Sequence, residues 1–137
     1  MALSSPNRVP WQLFGMLERF ACAPEAISPD VIQQNALSSI FIATATIEAF
    51  TNIFFRVVAD EPVFSHARHT IIANLNDRRR STAANLREWT NLAFGRQIDT
   101  DDRRWRAFDE LRRLRNRLVH FRSTHETLTI DTATIVG

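Results

Sequence analysis

The chain has 137 residues and a formal net charge of +2, with 45% hydrophobic residues, only three Gly and five Pro. This suits one domain around one core and favours helices over structures that need many tight turns. Cys22 is the lone cysteine, which excludes an internal disulfide, argues against a thiolate metal site and fits a reducing, cytoplasmic setting.

Met1 to Pro10 lacks a charged start followed by an apolar run, so it does not read as a signal peptide. Trp11, Phe14, Leu17 and Phe20 then mark a short amphipathic helix that would pack on the main bundle. Ser28-Pro29-Asp30 is a helix start: Ser offers a capping oxygen, Pro fits the first helical position, and Asp suits the positive end of the dipole. From Val31 to Phe55 the single charge is Glu48. The segment is long enough to raise the question of a membrane span. Its Gln33, Gln34, Asn35, Ser38, Ser39, Thr44, Thr46, Glu48 and Asn52 favour a central bundle helix and no membrane. Glu48 and Asn52 are four apart and share a helical face. A lone acid in an apolar helix needs a partner, and an Arg of the last helix is the expected one.

Asp60-Glu61-Pro62 ends this helix and starts another, roughly Val63 to Leu75. His66 and His69 lie on it, but no third ligand at a fitting spacing accompanies them, so no metal is expected. Asn74 to Arg80 is a polar loop closing on three arginines, either a solvated run or an outer phosphate contact. Ser81 caps a helix to about Phe94, with Leu86, Trp89, Leu92 and Ala93 inward and Gly95 as its C′ residue. Thr100 or Asp101 is expected to cap the final helix, Asp102 to Phe121. The tail from Thr127 to Val136 alternates in an extended pattern.

The final helix organises the chain. Trp105, Phe108, Leu111, Leu114, Leu118 and Phe121 form one apolar stripe. From Arg103 to Arg122 there are eight Arg against two acids, so this window holds +6 and the rest of the chain −4. Such asymmetry suits a phosphate-bearing partner. All 17 basic residues are Arg. The run closes on His120, whose type titrates near neutrality. At about 100° per residue, Asn116 and His120 share a face, whereas Arg115 and His120 diverge and can flank one groove.

Arg115-Asn116, three residues, then His120 resembles the Arg-x(4–6)-His signature of HEPN domains. The likeness extends to Ala45–Asn52, to Leu86-Arg87-Glu88-Trp89 through Phe94–Asp99, and to Trp105 and Phe108, spanning roughly residues 30 to 122. It implies an all-α, antiparallel bundle of about five helices in a single domain over 1–137, with a short extended C-terminal tail. It implies a homodimer that cuts RNA without a metal or cofactor, with Arg115, Asn116 and His120 of both chains at the seam. Glu48 and Asn52 would orient them, and Arg112, Arg113, Arg117 and Arg122 would hold flanking phosphates. A toxin or phage-defence role with an antitoxin protein as partner belongs to the same expectation. The competing reading is a non-catalytic HEPN adaptor. A third, a small-ligand or nucleotide-binding bundle, lacks a Gly-rich phosphate loop.

The chemistry explains why these residue types are needed. Breaking an RNA strand requires a proton acceptor for the 2′-hydroxyl, a donor for the leaving oxygen, and a cation for the phosphorane. His120 can move protons. Arg115 stays charged and holds phosphate bidentately, and the Asn116 amide can position either. One chain offers one titrating group there and two chains offer two, hence the expected two-fold cleft. One departure bears on subclass. HEPN toxins paired with nucleotidyltransferases usually carry a Tyr two residues past the His. Here that residue is Arg122 and the chain has no Tyr, which excludes silencing through that Tyr.

Overall fold

Trp89 marks the centre of the packing. In the computed structural model, which describes residues 8–21 and 28–119, its side chain is fully buried. The described residues form five α-helices and no strands: α1 (Arg8–Ala21), α2 (Pro29–Asp60), α3 (Ser65–Leu75), α4 (Thr82–Phe94) and α5 (Arg103–Val119), with a single 3₁₀ turn, Pro62–Phe64, between α2 and α3. Cys22 and the alternating tail lie outside the described residues.

Phe55, Val58 and Ala59 of α2, Ala67 and Ile71 of α3, and Trp89 and Ala93 of α4 make the main apolar cluster. The Phe55 and Trp89 rings sit 5.2 Å apart, and Phe94 bridges outward to Phe64 at 5.1 Å. His66 ties α3 to α4 through a 2.9 Å hydrogen bond to the Leu92 carbonyl. The core thus gathers at the C-terminal half of α2. α1 and α5 pack on α2 as well, but no residue of α5 is fully buried. Its stripe of Trp105, Phe108, Leu111, Leu114 and Leu118 is only half-covered.

Helix ends follow local chemistry, with two corrections. Pro29 opens α2, yet the Ser28 side chain makes no capping hydrogen bond; its carbonyl instead accepts from Val31 and Ile32 N–H at 3.0 and 3.1 Å. Asp102, rather than Thr100 or Asp101, caps α5, its carboxylate accepting the Arg104 N–H at 2.8 Å. The shift arises because Asp99 already takes the Asp101 N–H in a tight turn at 2.9 Å, delaying helix entry by one residue. Ser81 caps α4 through the Ala84 N–H at 3.1 Å. Gly95 ends α4 at φ +64°. A Cβ there would meet no atom within 4 Å, so the cost of adding one is conformational alone. Gly95→Ala is expected to lower unfolding free energy by about 1 kcal/mol. Urea denaturation reads this, and an unchanged midpoint would remove the strain argument.

α2 is long and apolar enough to cross a membrane by length and composition, with a mean hydropathy of 1.4 over its richest 18 residues, of which 17% are buried. The Ser39, Thr44 and Thr46 hydroxyls bond back to carbonyls three or four residues earlier at 2.7–3.0 Å, so these polar groups are satisfied within the helix.

Candidate functional site

Two helix walls and one loop build a cleft of about 420 Å³. α2 contributes Phe41, Thr44, Ala45 and Glu48, a stripe at spacings of three and four; α5 contributes Phe108, Arg112, Arg115 and Asn116, a second such stripe. The third side is the start of α4, with Arg80, Ser81 and Thr82. Ile47 of α2 shares a neighbouring hollow with Trp105 at the beginning of α5, while Phe41 and Thr44 share the cleft with Arg115 and Asn116 near its end. The two helices therefore run antiparallel.

Each guanidinium is oriented by a partner. Arg112 donates to the Asp109 carboxylate at 2.7 Å, one turn back, and Arg113 reaches the other oxygen of the same group at 3.0 Å. Arg115 donates to the Asn116 side-chain carbonyl at 3.2 Å. Arg80 donates to the Asn85 side-chain carbonyl at 2.8 Å and pairs with Glu88. These contacts use only part of each donor fork. The Arg112 Nε is buried and has no hydrogen-bond partner among the described residues.

The Asp109 carboxyl is held below its ordinary range, first by the Arg112 hydrogen bond and then by the nearby Arg113 charge, against an opposing contribution from partial burial. A carboxyl with a depressed folded-state pKa stabilises the fold above its unfolded value, about 3.9. That contribution disappears as pH falls through the lower folded value. Wild type should therefore lose more stability between pH 5 and pH 2 than Asp109→Asn, measured by denaturation at each pH. Parallel acid limbs would show that this carboxylate does not stabilise the fold.

The expected site residues fall into three groups. Arg115, Asn116, Arg112 and Glu48 come together in the cleft. Arg113 and Arg117 are exposed on α5 and do not line it, and Asn52 is half-buried on α2, also outside it. The antiparallel packing explains Asn52. Moving four residues along α2 from Glu48 approaches the start of α5, away from Arg115. His120 and Arg122 lie outside the described residues. The expected ion pair between Glu48 and an arginine of α5 is absent among the described residues. Glu48 is exposed, so water solvates its charge in place of a buried partner. Arg80, Ser81, Thr82, Phe41 and Thr44 were not expected at the site. The one available signal was that Arg80 directly precedes the α4 cap. His66 and His69 belong to no group of three or more potential metal-ligating side chains among the described residues.

No family model, curated protein or solved structure matches this chain.

Proposed function

We propose that the chain is a metal-independent endoribonuclease of the HEPN type, acting in the cytoplasm as a homodimer. One observation carries the reading: Arg112, Arg115, Asn116 and Glu48 line a single cleft whose walls come from different helices. In the proposed reaction the 2′-oxygen of the substrate attacks the adjacent phosphorus while its proton passes to a base. A new 2′-O–P bond forms, the P–O5′ bond breaks, and an acid protonates the leaving 5′-oxygen. The imidazoles of His120 from two chains would serve as base and acid, and Arg115 would neutralise the charge gathered on the phosphorane. The half-covered stripe of α5, with no fully buried residue, supports a second chain along that face. A toxin or defence role with an antitoxin partner rests on the resemblance of the motif.

The test is cutting of single-stranded RNA by purified protein in the presence of a chelator. Cleavage that persists with chelator is expected, and inert wild-type protein would overturn the reading.

A non-catalytic helical adaptor is the second reading. A groove between α1 and α2 favours it, lined by Trp11, Phe14, Phe50, Phe54 and Val57, with Trp11 75% and Phe50 61% exposed. Exposed apolar surface of this kind marks interaction sites.

A further inference from the structure

The cleft has two chemically different halves. On one side Phe41 shows 42% of its surface to solvent, and Phe108 lies on the facing helix. On the other side stand Arg80, Arg112 and Arg115, with Thr82 beside them. Against these three cations the lining carries one carboxylate, Glu48. Glu88 and Asp109 bind the Arg80 and Arg112 guanidinium groups and hold them in place. Donors remain on both forks, among them the buried Arg112 Nε without a partner. The first turn of α4 also contains no acid, so its positive end is not neutralised locally.

An aromatic face beside a cluster of open guanidinium donors matches a flat, uncharged ring joined to an anion. A nucleotide has that form, and a volume of about 420 Å³ lies in the range of small-molecule sites. We propose that the cleft seats one nucleotide of single-stranded RNA, its base against Phe41 and Phe108 and its phosphate on Arg80, Arg112 and Arg115. The choice of RNA rests on the ribonuclease reading; the division into base and phosphate halves rests on the lining alone. Arg80 and Phe41 thereby become substrate-binding residues, contributed by a loop and a helix that do not carry the Arg-His motif.

The test uses the full chain and two fluorescent probes: a 2′-O-methyl RNA decamer, which cannot undergo 2′-attack, and inorganic polyphosphate of matched charge. Phe41→Ala should weaken decamer binding roughly tenfold, in keeping with loss of one base stack, and leave polyphosphate binding unchanged. Thr82→Asp should weaken both probes. An acid in the first turn suits the α4 dipole, so that variant keeps its helix while repelling phosphate. Phe41→Leu, which retains apolar bulk without a ring, should behave as Phe41→Ala and covers the case in which alanine impairs folding. Unchanged decamer affinity in the Phe41 variants, equal loss on both probes, an inert Thr82→Asp, or no decamer binding by wild type would each overturn the seat. Because the decamer cannot be cut, the outcome is independent of catalysis. Active enzyme with an inert Phe41 variant sinks the seat alone, and a selective Phe41 effect in a protein that cleaves nothing sinks the nuclease reading alone.

Discussion

His120→Ala is expected to slow cleavage of single-stranded RNA by about 10²–10⁴-fold, the usual worth of a positioned proton-transfer group. Arg115→Ala should cost about 10²–10³-fold, as expected for a donor that meets charge developing in the transition state. Arg115→Lys should recover little of it. An ammonium is a point charge without the planar fork that grips two phosphate oxygens. The loss for Arg115 should fall mainly on kcat, since the phosphorane carries more charge than the ground-state phosphodiester. The assay is single-turnover cleavage with chelator present, beside circular dichroism to establish that each variant is folded. Arg115 is exposed and makes one described side-chain bond, to Asn116, so its replacement leaves packing intact. Wild-type rates in folded variants would remove both residues from the chemistry.

Trp89→Ala should produce the largest loss of stability, about 3–5 kcal/mol. Domains of this size are stable by roughly 5–15 kcal/mol in total, so the variant would be close to unfolding at physiological temperature. The ring is fully buried and stacks obliquely on Phe55 within the cluster joining α2, α3 and α4. Trp89→Phe makes a sharper test. The indole Nε1 is buried and finds no hydrogen-bond partner among the described residues, and a buried donor left unpaired costs on the order of 1–3 kcal/mol. Removing that donor offsets part of the lost volume, so Trp89→Phe should cost less than half of what Trp89→Ala costs. Urea denaturation of the three proteins measures both. Equal losses would mean that the indole N–H is satisfied in solution.

Local chemistry made much of the fold readable before any coordinates. Ser81 as a cap, Gly95 as a helix stop and Pro29 as a first helical residue each act within one turn of their own position, and each stands where expected. The arginine helix was similarly plain, because its period is written into Trp105, Phe108, Leu111 and Leu114. What could not be read was which residues of separate helices meet. Glu48 and Asn52 look equivalent on a helical wheel, yet the direction of α5 along α2 puts one in the cleft and leaves the other out. Arg80 looked like one of three loop arginines. Its bonds to Asn85 and Glu88, five and eight residues on, distinguish it, and they depend on how the loop turns onto α4. Phe41 gave no sign either, since an aromatic on an apolar helix is ordinarily core.

The separation of the Phe55–Trp89 cluster from the Phe41–Glu48 wall along one 32-residue helix has an evolutionary consequence. Ligand preference and thermal tolerance can drift independently, because the residues governing each occupy different halves of a shared rod. Descendants of such a protein could exchange what they grip while inheriting the same anchor unchanged.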